Sequence, residues 1–350
     1  MGDMKTAIMG EFDRRRFLLG LGMTAATIAL TGRGGAKAAM MPSEVRIATF
    51  SETNPTAILQ AQGTLDKALG TKVAWKDVGS GGAFNTVVAT GAMDIGLGIG
   101  TSPTAAGLAQ GIPYKVIAVC DNIAGAEEMT VRKSSNIKKP SDFVGKTVAT
   151  PFGSTSNFRL QGFLTVHKLI GKVKVVYMSP TDLVAAWTRG QIDGAYVWPP
   201  AKTKLLKNGG EVFETYKEMD AAGYVIGDLI VCRNGFAEKY PETVTAFLKA
   251  YGAAVDLYTT DREKAIALCA KATGLSVEDA RADMAEYEFI NLKQSLSQDW
   301  LGAPGKPGRL PKLLHGAAKF LHGQKSIPSV PALSLYEKGV NSSYLAKAVG

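Results

Sequence analysis

The sequence predicts an α/β protein built as two similar lobes. Three observations carry that expectation. Short β-rich runs alternate with helical stretches from Val45 onward, this alternation occurs twice in tandem, and two further apolar runs are placed to cross between the series. Size agrees, because 350 residues at 46% apolar composition can bury a large core, which chains of this length usually divide between two domains.

Taken in order, residues 1–38 read as an export signal rather than as part of the fold. Arg14, Arg15 and Arg16 precede an apolar stretch that runs to about Leu30, and Ala36-Lys37-Ala38 supplies a small-x-small cleavage pattern. The arginine pair followed by Phe17 and Leu18 resembles a twin-arginine signal. The apolar stretch is diluted by Gly and Thr and is shorter than the roughly 20 residues of a membrane span. The chain that remains is therefore expected outside the cytoplasm and not to span the membrane.

The first series has strand candidates at 45–50, 73–78, 95–99 and 114–119, with helical segments near 55–69, 83–91 and 103–110. The second has strand candidates at 146–150, 173–178 and 195–198, with helices near 156–169 and 181–189. The runs 129–133 and 224–233 are the crossing candidates, which would act as a hinge. After Arg233 the pattern turns helical over 241–258, 262–273 and 277–287, the last with a start signal in Ser276, Glu278 and Asp279. Residues 302–308, with three Gly and two Pro, read as a loop. The expected division is 43–128 with 233–350 as one lobe and 129–232 as the other; one large doubly wound domain is the alternative.

Several function classes are excluded by what the residues lack. Removing six basic and three acidic residues with the signal lowers the net charge from +9 to +6. The remaining basic residues are scattered without an Arg-rich helix, so nucleic-acid binding is not expected, whereas a mild positive field suits an anionic or zwitterionic ligand. Cys120, Cys232 and Cys269 lack metal-ligand spacing and read as small buried hydrophobes rather than a disulfide framework. The three histidines, His167, His315 and His322, have no Cys or carboxylate partner at ligand spacing, and no nucleophile elbow or phosphate loop is present. The glycines of Gly96-Leu97-Gly98-Ile99-Gly100 have the wrong spacing for a dinucleotide loop. Neither catalytic residues nor a cofactor or metal is expected.

Anion-receptive backbone is abundant instead. Four turns place small polar residues between a strand and a helix start: Thr53-Asn54-Pro55, Gly79-Ser80-Gly81-Gly82, Gly100-Thr101-Ser102-Pro103-Thr104 and Phe152-Gly153-Ser154-Thr155-Ser156. At a helix start the first N–H groups lack intrahelical acceptors and the macrodipole is positive, so an anion can be held without Lys or Arg. In an open parallel sheet such turns gather beyond the carboxyl ends of the strands, where ligands bind.

Three stretches carry a resemblance to a known family. They are Gly100-Thr101-Ser102-Pro103, the run 145–152 followed by Ser154-Thr155, and the aromatic-rich block 185–198 leading into Pro199-Pro200-Ala201. Phe320-Leu321 and Ile327-Pro328 near the C-terminus fit as well. The chain after the signal resembles the sulfonate, nitrate and taurine substrate-binding proteins of bacterial ABC importers, those for taurine most.

The resemblance implies a type II periplasmic binding protein, with two parallel-type α/β lobes joined by two crossing strands and a small-molecule ligand closed between them. It implies a monomer that docks on an ABC permease with a cytoplasmic ATPase. Carried over by position, Thr101, Ser102, Ser154 and Thr155 are the sulfonate-facing residues, Tyr196 and Trp198 the cleft-wall aromatics, and Asp228 and Glu128 the carboxylates for an ammonium. Pro200, Gly153 and the segment 121–127 depart from the family pattern and border the pocket.

Physical chemistry supports that division of labour. Taurine carries a sulfonate and an ammonium about two carbons apart, so its site needs neutral donors at one end and a carboxylate at the other. Asp228 stands in the otherwise apolar run 226–230, and a buried carboxylate facing an uncharged tail is costly, which is how it would reject a desamino analogue. Glu128 has Glu127 beside it, and one of the two is expected to be solvated. The alternatives are a receptor for an aliphatic sulfonate, an aminophosphonate or an aromatic acid, a receptor that docks on a signalling protein rather than a permease, and an enzyme of the same fold.

Overall fold

A computed structural model describes residues 40–350, so the expected signal lies outside the described residues. The first series runs β1 (Glu44–Thr49), α1 (Pro55–Gln62), α2 (Leu65–Leu69), β2 (Lys72–Asp77), α3 (Gly81–Ala89), β3 (Ile95–Gly100), α4 (Thr101–Ala109) and β4 (Tyr114–Asn122). The second runs β5 (Glu128–Arg132), β6 (Thr147–Thr150), α5 (Thr155–Val166), β7 (Lys174–Tyr177), α6 (Pro180–Thr188), β8 (Gly194–Val197), α7 (Ala201–Lys207), β9 (Gly210–Glu214) and α8 (Tyr216–Ala221). β10 (Gly227–Arg233) then leads into α9 (Asn234–Lys239), α10 (Pro241–Thr260), α11 (Arg262–Thr273), α12 (Val277–Met284), β11 (Glu288–Phe289), α13 (Leu292–Ser295) and, further on, the helix Leu310–Gly323.

Local chemistry accounts for the boundaries. The helical stretch expected over 55–69 is two helices, because Gly63 ends α1 in the left-handed region at φ 60°. The loop expected at 302–308 folds into a small hairpin, Gly302–Ala303 against Lys306–Pro307. Pairs of glycines and prolines there supply the turn that such a hairpin needs.

The two sheets share one plan. In the first, β2, β1 and β3 are parallel, β10 is antiparallel beside β3, and β4 and β11 follow. In the second, β7, β6 and β8 are parallel, β5 is antiparallel beside β8, and β9 follows. The antiparallel member of each sheet is the strand that arrives from the other lobe. Most of each run expected to cross is thus seated inside one sheet, as β5 and β10, and the crossing is made by the segments just before these strands, which for the second includes residues 224–226 of the expected run. Because β10 is hydrogen-bonded to β3 and β4, the second passage precedes Gly227 rather than following Cys232. The strand's backbone donors and acceptors are satisfied only if it stays in one ladder.

All residues of β3 are buried, which explains its glycines. An added Cβ at Gly96 would lie 2.0 Å from the Phe84 ring, and one at Gly100 would lie 2.3 Å from Thr155 Cγ2 of the second lobe. Gly98, at φ 85°, is passed over where the β3–β10 register shifts between Leu229 and Ile230, a bulge that glycine accommodates. The pattern that mimicked a dinucleotide loop serves close packing on both sides of the lobe boundary.

α7 of the second lobe also lies against α12 and the segment after it in the first. Lys202 Nζ sits 3.1 Å from Glu286 Oε1, and Thr203 and Lys207 bond Asp283 and Asp279. These contacts tie α7 to α12 and the segment after it.

Substituting Gly96 with Ala should destabilise the protein by about 1–3 kcal/mol, the usual range for overpacking a filled core. Phe84 is fully buried and has nowhere to withdraw, so a lowered urea midpoint at unchanged slope is the expected result.

Candidate functional site

Three helix starts converge at the seam between the lobes. α3 is capped by Ser80, whose hydroxyl accepts from Ala83 N, and α5 by Ser154, which accepts from Asn157 N. α4 is different: its cap is Gly100, which has no side chain to occupy the first-turn donors. A Cβ added at Gly81 would lie 2.4 Å from Pro103 Cβ of α4 and 2.8 Å from Gly153 O ahead of α5. Ser102 Oγ donates to Ser154 O at 3.3 Å across the boundary. The positive ends of three dipoles therefore point into one small region.

Four carboxyl groups approach the same region from the other side. Glu52 follows β1, Asp121 lies near the end of β4, Glu127 precedes β5, and Asp228 lies in β10; all four are buried. Asp228 and Asp121 are direct cross-strand partners, a placement that sets like charges together. Among the described residues none of the four has an ion-pair partner. Glu52 accepts from Asn54 Nδ2 at 2.6 Å and Glu127 from Thr155 Oγ1 at 2.8 Å, while the Asp121 carboxyl has only Asp228 within hydrogen-bonding reach.

Such a cluster resists ionisation. Desolvation pushes the Asp121 carboxyl up to about 8 and the Glu127 carboxyl up to about 7. Glu52 and Asp228 are raised well above the usual carboxylate range, first by desolvation and then by the charges of their neighbours.

The residues expected from the sequence fall into two groups. Thr101, Ser102, Ser154 and Thr155 are buried at the converging helix starts, with the Thr155 hydroxyl committed to Glu127 rather than free for an anion. Asp228 is in the acidic cluster. Trp198 lies just past β8 at the seam, edge-on to Phe50 with ring centroids 6.2 Å apart.

Glu128 and Tyr196 are elsewhere. Glu128 Oε2 is 3.1 Å from Lys202 Nζ and its Oε1 accepts from Tyr216 N, so it is a structural ion-pair partner. Neighbours in extended chain face opposite ways, and it is Glu127 that faces the seam; neither of the pair is solvated. Tyr196 is fully buried in the core of the second lobe among Met129, Phe163 and Val148. Trp198 escapes that face because β8 ends at Val197.

Glu52, Asp121 and Glu127 were not anticipated. The signal that identified Asp228, a carboxylate at the end of an apolar strand run, is present for Asp121 as well. Glu127 sits in the segment whose departure from the family pattern was noted.

Phe50, Glu52, Gly81, Glu127, Thr155 and Trp198 help line a narrow space of about 10 Å³. That is room for roughly one water, so admission of an organic ligand requires the lobes to part. Two wider clefts flank it, of about 300 Å³ beside Asp77 and Ser179 and about 650 Å³ beside Asn85 and Asn157. Glu52 and Glu127 line this narrow space, whereas Asp77 and Lys204 line the first of the flanking clefts.

A family model described as NMT1/THI5 like matches residues 67–265. The chain is 31% identical over 294 residues to the taurine-binding periplasmic protein of Escherichia coli, covering 82% of this chain and 88% of that one. Among solved structures it is similar to the alkanesulfonate-binding protein SsuA from Xanthomonas axonopodis pv. citri bound to MOPS, with TM-score 0.73, 21% identity, and coverage of 87% and 99%. The desulfurization enzyme DSZB shares the fold at TM-score 0.60 and 15% identity, over 88% of this chain and 99% of that one. The architecture is that of periplasmic binding proteins.

The raised carboxyls make a stability prediction. In the unfolded chain they ionise near about 4, and in the folded protein near 7 for Glu127 and 8 for Asp121. Stability from this source is complete below the unfolded value and is lost as pH rises through the folded values. The ligand-free protein should therefore melt at a higher temperature at pH 5.5 than at pH 8, as followed by circular dichroism, and Asp121→Asn should flatten that difference.

Proposed function

The chain belongs to the NMT1/THI5-like family, and from that premise we propose that it is an extracytoplasmic receptor that captures taurine or a closely related aminosulfonate between its lobes. The observation that carries the reading is the polarity of the seam. Helix starts and four buried carboxyls without an ion-pair partner border the same seam, so donors for an anion and acceptors for a cation lie side by side, an arrangement complementary to a small zwitterion. The similarity to the taurine-binding protein of Escherichia coli supports the same ligand.

Each part has a role in this reading. N–H groups at the starts of α3, α4 and α5 receive the sulfonate, as charge-assisted bonds to an anion at a dipole's positive end. Glu52, Glu127, Asp121 and Asp228 together receive the ammonium. Phe50 and Trp198 cover the short carbon chain from either lobe. The contacts of α7 with α12 hold the closed form, which is the form a membrane partner would distinguish from the open one.

An enzymatic role has little support in these residues. Thiol chemistry is not favoured, because Cys120, Cys232 and Cys269 are buried and held well above their usual range by desolvation. We further propose export by the twin-arginine route on the strength of Arg14-Arg15-Arg16-Phe17-Leu18, and delivery as a monomer to an ABC permease with a cytoplasmic ATPase. Among the described residues no helix is long and apolar enough to cross a membrane.

Calorimetric titration of the protein from residue 39 onward tests the reading against taurine, ethanesulfonate, 2-aminoethylphosphonate and β-alanine. Taurine should bind best. Ethanesulfonate should be weaker by about 10- to 100-fold, the loss of a charge-assisted contact, and Asp228→Asn should narrow that gap. Equal affinity for taurine and ethanesulfonate would show that the carboxylates do not select the ligand.

A further inference from the structure

Four carboxyls are more than one ammonium requires. Resting on the receptor reading above, we infer that the seam is also a proton site, and that capture of the ligand's cationic head is an exchange in which protons held among Glu52, Asp121, Glu127 and Asp228 are released to solvent. The balance is simple: the ammonium enters with its own positive charge, and a carboxylic acid O–H dissociates to leave the carboxylate that faces it.

Geometry requires this of the unliganded cluster. Asp121 and Asp228 are cross-strand partners with no cation between them, and their carboxyls lie within hydrogen-bonding reach of each other, which two carboxylates satisfy only by keeping a proton. After desolvation the charge of Glu52 raises Asp228 most, and Asp77 at the end of β2 adds to Glu52. Ionising all four together would place uncompensated like charges in a buried site, which proteins avoid by retaining protons.

The remaining groups around the cluster do not relieve it. Cys120 of β4, Tyr251 of α10 and Tyr287 beyond α12 face it as neutral thiol and phenols, each held well above its usual range chiefly by burial. Arg159 of α5 and Lys202 of α7 are the cations whose fields reach Glu127. Both are already engaged. Arg159 Nη2 is 2.6 Å from Asp220 and its Nη1 donates to the carbonyls of Ala124 and Glu127, while Lys202 is shared by Glu128 and Glu286. Among the described residues no fixed cation is left to do what the ligand's ammonium would do.

The sign of the linkage follows. Desolvated carboxyls titrating near 7 and 8 in the unliganded protein are driven to ionise by the arriving ammonium, so binding releases protons and weakens as pH falls. Affinity for taurine should drop by up to about tenfold per pH unit for each proton released, from pH 8 toward pH 6. This is opposite to the expectation for a plain alkanesulfonate, which brings no cation and should bind no worse at pH 6 than at pH 8.

The test is calorimetry of the protein with taurine at pH 7 in two buffers of different ionisation enthalpy, repeated at pH 6 and 8. Buffer-dependent heats corresponding to about one proton released per taurine, with affinity falling toward pH 6, support the exchange. Taurine binding with equal heats in both buffers and a flat pH profile overturns the exchange and leaves the receptor reading standing. Absence of taurine binding at every pH overturns both. A measurement without ligand keeps the two apart: infrared spectra of the unliganded protein should show protonated carboxyl groups at pH 6.5, diminished in Asp121→Asn, and a spectrum lacking them contradicts the inference on its own.

Discussion

Negative charge held out of water without a fixed counterion is the constraint around which the seam is arranged. Glu52, Asp121, Glu127 and Asp228 come from four separate places in the chain, and three of them lie at the ends of strands or immediately outside them. Glu52, Asp121 and Glu127 all raise Asp228, Asp121 and Glu127 raise Glu52, and Glu127 raises Asp121. A fold retains such a group of residues only where something other than stability requires them, because neutral or apolar replacements would be less costly.

The topology explains how the charges are brought together. β10 inserts between β3 and β4, which sets Asp228 directly against both Gly100 and Asp121. The chain leaving β4 then passes Glu127 as it enters the second sheet. One inserted strand and one passage between lobes therefore deliver three of the four carboxyls, while the parallel strands of both sheets deliver the helix starts opposite them. The glycines of β3 and of the α3 start let the lobes approach to within van der Waals contact, so that dipoles and carboxyls share a space from which water is largely excluded. In that setting electrostatic interactions are less screened than at a surface.

Much of this was legible in the sequence, and the limits have physical causes. Strand positions, the tandem series and the helix-start turns followed from period and capping chemistry, since those signals are local. The seating of the two crossing runs was not visible, because a strand's partners are set by tertiary pairing rather than by its own residues. Asp228 stood out as a charge in an apolar run. Glu127 and Glu128 could not be told apart, since which of two adjacent residues faces the seam depends on the register of β5 with β8 and β9. Tyr196 and Trp198 looked equivalent by alternation until the end of β8 separated them. The glycines of β3 were visible as a pattern, but their reason, the nearness of Phe84, Glu52 and Thr155, exists only in three dimensions.

The most direct test of the central claim, that the seam holds a zwitterion with its cation on the carboxylates, is a crystal structure of the protein grown with taurine. The account predicts the sulfonate at the starts of α3, α4 and α5, and the nitrogen within about 3 Å of the Glu127 and Asp228 carboxylates, the distance of a charge-assisted hydrogen bond. Taurine seated in either flanking cleft, or reversed with its sulfonate toward the acidic cluster, would contradict it.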